Sequence, residues 1–322
     1  NVTALCIYNS SGTHGWLEKI YQKQQNNLDL VLGDIRDPFF VNQLCEDIDI
    51  VFHLAALIAI PFSYVAPNSY LDTNVTGTLN VLEACKKNKV GRVVVTSTSE
   101  VYGTAKYTPI DELHPLQGQS PYSASKISAD KLSESYYNSF KTPVITVRPF
   151  NTFGPRQSSR AVIPTIISQL LTEKNLFLGD LSPLRDFTYV EDTVQGFINA
   201  AKYNQHVGEV INLGYGKAAS IGEIANLIMD IMGINKEIIS DSNRIRPKDS
   251  EVMNLISNNS KAKKLINWEP KIDLRAGLTK TIDFISDNLD FYKTKSYNIK
   301  NASSYFSRWK RNKINALHCK FT

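Results

Sequence analysis

The chain has only four cysteines in 322 residues, and no two of them have CxxC spacing. Cys6, Cys45, Cys85 and Cys319 are too few and too scattered for a disulfide framework. His318 adjoins Cys319, but no second pair of ligands accompanies it, so no metal site is expected. Free thiols in a reducing compartment are the expectation. Long apolar runs are also missing. No stretch approaches the ~20 residues of a membrane span. The N-terminus lacks the basic start and apolar run of a secretory signal, so a cytoplasmic setting is expected. A dense basic stripe is absent too. The net charge is +5, and most Lys and Arg alternate with acids. That mild excess suits an anionic small substrate and argues against a nucleic-acid partner.

One further absence concerns fold. A dinucleotide-binding fold opens with a strand, a Gly-rich turn and a helix. No GxGxxG or GxxGxxG occurs near the start of this chain. Val2–Tyr8 (VTALCIY) reads as the second strand of such a fold. An opening strand and phosphate-binding turn are therefore expected upstream of Asn1. Gly12 and Gly15 do not replace them, because no long helix follows at once.

What is present is alternation. Leu28–Gly33, Ile48–Leu54, Arg92–Ser97 and Pro143–Arg148 are near-continuous apolar runs, the pattern of parallel strands buried on both faces. Candidate helices lie between them at Val41–Cys45, Ser69–Asn88 and Tyr122–Phe140. The expected fold is α/β, a doubly wound parallel sheet lacking its first βα unit, with a smaller C-terminal lobe. Ser120 can cap the helix from Tyr122, Pro121 suits its first turn, and Ala129, Leu132, Tyr136 and Phe140 share a face. Ser220 and Glu223 form a capping box ahead of Ile224, Ala225, Ile228 and Ile231. A dinucleotide domain is expected over 1–150 and about 187–214, with a substrate lobe over 151–186 and 215–298. The basic tail 299–322 is expected to be peripheral.

The chemistry-bearing pattern is Tyr122-Ser-Ala-Ser-Lys126. Its spacing puts phenol and ammonium on one helix face, roughly 6 Å apart along the axis. A nearby positive charge favours the phenolate, which could take a proton from a sugar hydroxyl. A lone YxxxK is more often an ordinary helix turn. Here Thr98-Ser99-Glu100 follows an apolar strand, and strand carboxyl ends face the ligand crevice of a doubly wound sheet. Thr98 can donate a hydrogen bond to an oxygen, and Glu100 can act as acid or base.

These segments, with Arg148–Pro155 (RPFNTFGP), Arg185–Val190 (RDFTYV), Arg246-Pro247 and Ser260–Pro270 (SKAKKLINWEP), resemble the extended short-chain dehydrogenases. The chain is similar to nucleotide-sugar 4,6-dehydratases from Ala4 to about Asn298. Phe52–Asn74 and Gly154–Gln169 resemble the legionaminic-acid branch, which acts on a nucleotide-linked N-acetylglucosamine. The resemblance implies that Thr98 and Tyr122 meet the sugar 4-hydroxyl. Lys126 would support Tyr122 and the cofactor ribose, and Glu100 would remove the C5 proton. Asp34 and Ile35 would border adenine, Leu54, Ala55 and Ala56 would line the cofactor path, and Asn74 would lie near a ribose. Ser99, Asn151, Arg185 and Arg246 would contact substrate, the last three at its diphosphate. Ser99 stands where several sugar dehydratases carry Asp, so Glu100 would do both acid and base work. The resemblance implies NAD. The residues ending Val2–Tyr8 discriminate neither NAD nor NADP, and UDP and GDP stay equally open. A homodimer through the helices Ser69–Asn88 and Tyr122–Phe140 is implied. A uronic-acid decarboxylase, a 4-epimerase and a non-catalytic remnant are the rival readings.

Overall fold

A computed structural model describes residues 1–23 and 26–292; the expected tail lies outside the described residues, as does Cys319. In chain order the first half contains β1 (Val2–Ile7), α1 (Leu17–Tyr21), β2 (Leu28–Gly33), α2 (Pro38–Leu44), β3 (Ile50–His53), α3 (Ile60–Ser63), α4 (Pro67–Tyr70), α5 (Gly77–Lys87), β4 (Arg92–Thr96), α6 (Pro121–Phe140) and β5 (Val144–Pro149). The second half contains β6 (Asn151–Phe153), α7 (Val162–Thr172), β7 (Leu176–Leu178), β8 (Leu184–Tyr189), α8 (Val190–Lys202), β9 (Val210–Leu213), β10 (Ala218–Ser220), α9 (Ile221–Met232), β11 (Ile238–Ser240), β12 (Asn254–Leu255), α10 (Ser260–Ile266) and α11 (Leu274–Asp287).

The central sheet has four parallel strands in the order β3-β4-β5-β9. Alternation along β4 explains how it is covered twice. Val93 and Val95 pack with Val81, Leu82, Cys85 and Tyr136 of α5 and α6. Val94 faces the opposite way, with Ile145, Phe197, Ala200 and Trp268. All three valines are fully buried, as the apolar runs predict.

The same expectation fails for β3, and β1 is likewise open. Val2, Ile50 and Phe52 are 58%, 43% and 41% exposed. The strands β1 and β2 form a separate parallel pair, and among the described residues β1 and β3 each pair along one edge only. Leu5 and Val51 nevertheless pack against one and the same core cluster. The parallel strands therefore share a helical layer while their hydrogen-bond ladders are interrupted.

Two further expectations are corrected. The helix anticipated over Ser69–Asn88 is broken into α4, a π-turn at Leu71–Thr76, and α5. The Thr78 hydroxyl donates to the Asn74 carbonyl at 2.6 Å, the kind of insertion that accompanies such irregular turns. Phe140 does not complete the buried face of α6. It is 53% exposed, next to Lys141 in the left-handed conformation that ends the helix, with the Lys86 ammonium over its ring. The start of α6 is as expected: Ser120 accepts from the Ser123 N–H, and Ser123 reciprocates. The Ser220–Glu223 capping box opens α9.

A second sheet is built on β8, which pairs with β6, β10 and β12. Its core joins Ile163, Ile166 and Leu170 of α7 to Ile224 and Ile228 of α9 and Leu278 and Ile282 of α11. Asp186 of β8 ties the neighbouring loops together. Its carboxylate accepts from the backbone N–H groups of Tyr215, Gly216 and Ser257 at 2.7, 2.8 and 3.0 Å. Burial outweighs these donors and pushes its pKa up to about 6. The folded state therefore holds a proton that the unfolded chain has lost, and stability falls as pH rises from about 4 to 6. Asp186→Ala leaves three buried N–H groups without an acceptor. Urea unfolding at pH 7 should show a loss of roughly 3 kcal/mol, and the variant should lack that acid-side slope. A change within about 0.5 kcal/mol would show that water replaces the carboxylate at little cost.

Candidate active site

The sequence reading places Thr98, Ser99 and Glu100 at the carboxyl end of β4, and the fold adds why they point to one place. After Thr96 the chain runs extended through Thr98 and then tightens into a 3-10 turn, Ser99–Tyr102. Thr98 caps that turn, its hydroxyl accepting from the Glu100 N–H at 3.2 Å. The same hydroxyl bonds the Tyr122 phenol, carried in the first turn of α6. Ser99 is buried and Glu100 half-buried. Glu100 lies within electrostatic reach of Tyr122, Tyr64 and Arg185, groups from three separate elements of the chain.

Lys126 follows Tyr122 by one turn. Its ammonium donates to the Thr96 carbonyl at 2.6 Å. Burial lowers its pKa to about 8, a fall opposed by the carboxylate of Asp130 one turn further on. Asp130 is itself buried against Arg148 of β5 at 2.9 Å. Tyr122 behaves differently from the expectation. Burial drives its pKa well above the usual phenol value, and Glu100 pushes the same way against the Thr98 hydrogen bond. Helical spacing puts Lys126 on the phenol's face, but its bond goes to the end of β4. The phenol therefore holds its proton in this state.

His53, at the end of β3, meets Thr78 at 2.9 Å. Because the Thr78 hydroxyl donates to Asn74, the His53 Nε2 carries the hydrogen. Burial, and then Lys126, hold its pKa down to about 3, so the ring is neutral.

The residues assigned to a cofactor are placed unequally. Leu54 and Ala55 are exposed and Ala56 half-buried, forming an open wall after β3. Asn74 is buried, and its carboxamide is committed to protein. It accepts from the Leu57 N–H at 2.8 Å and donates to the Leu57 carbonyl and the Ser125 hydroxyl, both at 2.9 Å. It thus fixes the wall loop to α6. Ile35 is core, packed beside Gly77, with its carbonyl accepting from the Asn80 amide. The Asp34 carboxylate pairs with Arg36 at 2.5 Å, and that guanidinium holds its pKa below the usual range. Thr96 Oγ1 and Ser97 Oγ are buried without a hydrogen-bond partner. Two orphaned hydroxyls at the strand ends, beside an exposed wall and a buried ammonium, fit a polar ligand lying across the crevice.

Arg185 of β8 is buried, with its side chain 7% exposed, and pairs with Glu251 at 2.8 Å. Arg246 reaches the same carboxylate oxygen at 3.4 Å. Asn151 opens β6, and its Oδ1 is buried with no partner. Sequence reasoning missed Tyr64, Tyr70, Asp130, Ser250 and Glu251. Tyr70 is fully buried and meets the Tyr122 ring edge-on at 6.2 Å between centroids. The phenol of Tyr64 bonds Ser250 at 2.5 Å, joining the two halves of the chain. The sequence signal for Ser250 and Glu251 was only their position just after Arg246-Pro247. Among the described residues no cluster of three or more acidic, His or Cys side chains could hold a metal ion. No helix there is long and apolar enough to cross a membrane.

A sequence model of the GDP-mannose 4,6 dehydratase family matches residues 1–281. The human dTDP-D-glucose 4,6-dehydratase is 32% identical over 285 residues, covering 86% of this chain and 80% of that protein. The uncharacterized UDP-glucose epimerase YtcB of Bacillus subtilis is 34% identical over 245 residues, covering 76% of each chain. Among solved structures, UDP-glucuronic acid 4-epimerase from Bacillus cereus, in complex with UDP-glucuronic acid and NAD, superposes with a TM-score of 0.77 at 31% identity. That match covers 83% of this chain and 85% of the other. With its Rossmann-like parallel sheet, the Thr98–Tyr122–Lys126 arrangement and a family match over residues 1–281, the chain belongs to the GDP-mannose 4,6 dehydratase family of extended short-chain dehydrogenases.

Proposed function

We propose that the protein is an NAD-dependent nucleotide-sugar 4,6-dehydratase acting on a UDP- or GDP-linked N-acetylglucosamine. The observation that carries this reading is the convergence of Thr98, Tyr122 and Glu100, with Arg185 also within electrostatic reach of Glu100. The fit of NAD rests on the orphaned Thr96 and Ser97 hydroxyls, and on relatives whose solved complexes contain it. Leu54, Ala55 and Ala56 would wall its path, Asp34 and Ile35 would border its adenine, and Lys126 would meet its ribose. NAD, when bound, supplies a hydride acceptor at C4 and a donor at C6.

The chain's own groups do the rest. Thr98 and Tyr122 hold the sugar 4-oxygen, and Tyr122 moves the hydroxyl proton. Glu100 takes the C5 proton and returns it to the departing C6 hydroxyl, which leaves as water; as C6 is then reduced, C5 regains a proton from solvent and Tyr122 releases to solvent the one it took from the 4-hydroxyl. Asn151, Arg185 and Arg246 hold the diphosphate, whose oxygens match the guanidinium fork. The N-acetylglucosamine assignment is supported by Phe52–Asn74 and Gly154–Gln169, which resemble the legionaminic-acid branch. A homodimer through α5 and α6 belongs to the same reading.

The epimerase names among the relatives favour a second reading, in which the sugar is only inverted at C4. Glu100 discriminates, because inversion at C4 needs no carboxylate acting at C5. Substrate carrying deuterium at C4 tests the proposal by mass spectrometry and proton NMR. The expected product is a 4-keto-6-deoxy sugar with the label at C6. Label kept at C4 of an epimer refutes dehydration, and label lost to solvent refutes internal return. Incubation with UDP-glucuronate, with assay for carbon dioxide, separates the decarboxylase.

A further inference from the structure

We infer that Glu251 is the resident anion of the diphosphate site, a carboxylate that occupies Arg185 and Arg246 until a nucleoside diphosphate displaces it; this rests on the proposed function. One oxygen, Oε1, accepts from both guanidinium groups, at 2.8 Å from Arg185 and 3.4 Å from Arg246. The two arginines come from distant parts of the chain and meet nowhere else in the described hydrogen bonds.

The local charges favour such a placeholder. Arg185 has Glu100, Glu251 and Arg246 as charged neighbours, Asp180 also lies within reach of its charge, and Tyr64 stands among Arg246, Glu251 and Glu100. Two arginines thus face three carboxylates, and the cradle carries no positive excess. Unpaired, the buried Arg185 would be costly. A diphosphate brings more negative charge than the cradle can balance while Glu251 remains on the arginines.

The backbone beside Glu251 is anchored, so that exchange needs only a side-chain rotation. The Ser250 hydroxyl donates to the Gln119 carbonyl at 2.8 Å, which leaves the Tyr64 phenol as donor to Ser250. The Glu251 N–H bonds the Pro247 carbonyl at 3.1 Å. Glu251 is thus a specificity-determining group that acts through the arginines and touches no reacting atom.

Calorimetric titration of UDP and GDP, with uridine and guanosine as phosphate-free controls, tests this in the wild-type chain and in Glu251→Gln. Glutamine keeps an acceptor for Arg185 but removes the competing charge. The diphosphate that binds should bind roughly ten-fold more tightly to the variant, with its nucleoside control unchanged. Unchanged or weaker diphosphate binding would overturn the inference, since Glu251 would then only hold the arginines in place. Equal tightening of the nucleoside would overturn it as well. If neither diphosphate binds the wild type, the proposed function fails and this inference fails with it. Arg246→Ala serves as the folding-independent check. In that background Glu251→Gln should yield a smaller gain, and an undiminished gain counts against displacement from the pair.

Discussion

Glu100→Gln should lower kcat for 4-keto-6-deoxy sugar formation by roughly 10³-fold, the middle of the range that a positioned acid–base group supplies. The size of the effect follows from the double duty assigned to this side chain. By the resemblance, Ser99 stands beside it where several sugar dehydratases carry Asp, so the acid's task falls to Glu100 as well. The amide keeps the shape of the site and its contact with the Thr98-capped turn, whose hydrogen bond uses the Glu100 backbone. Substrate binding should therefore change little. The decisive measurement separates the half-reactions in a single turnover. Nicotinamide absorbance should still report oxidation at C4 while elimination stalls. A variant that dehydrates within ten-fold of wild type would remove Glu100 from the chemistry. One that fails to oxidise C4 would make it a binding group instead.

Tyr122→Phe should cost about as much, roughly 10³-fold or more in kcat, but should stop the sequence one stage earlier, with no absorbance change at all. Burial and the Glu100 charge keep the phenol protonated before ligands bind. The active form thus depends on positive charge arriving with the ligand, and on Lys126, whose pKa near 8 leaves it largely charged at neutral pH. Because the ring is packed by Tyr70 and Ile60, phenylalanine keeps the apolar contacts and loses only the bond to Thr98. Thermal unfolding should therefore move by no more than a few degrees. Unimpaired C4 oxidation in this variant would assign proton removal to another group.

Much of this was legible in the residues. Apolar runs located β1 to β5 to within one or two residues, because a parallel strand needs little beyond β-branched continuity. The joint placement of Thr98 and Tyr122 could be read because a strand end and a helix start each fix a side chain locally. The cradle around Arg185 and Arg246 could not. Glu251 and Tyr64 reach it from loop and helix-cap positions whose directions are set by tertiary contacts alone. Asn74, which the resemblance sets near a ribose, spends its carboxamide on the Leu57 backbone and the Ser125 hydroxyl, contacts that no local pattern announces. The near-continuous apolar run of β3 promised burial on both faces, and no local pattern announces that, among the described residues, β3 pairs only with β4 and leaves Phe52 exposed.

The shared helical layer has a consequence for cooperativity. The ribbon of β1 and β2 is coupled to the central strands through side chains such as Leu5 on the common helical layer. A change in that layer is therefore felt on both sides, at Ile35 just after β2 and at Val93 and Val95 of β4.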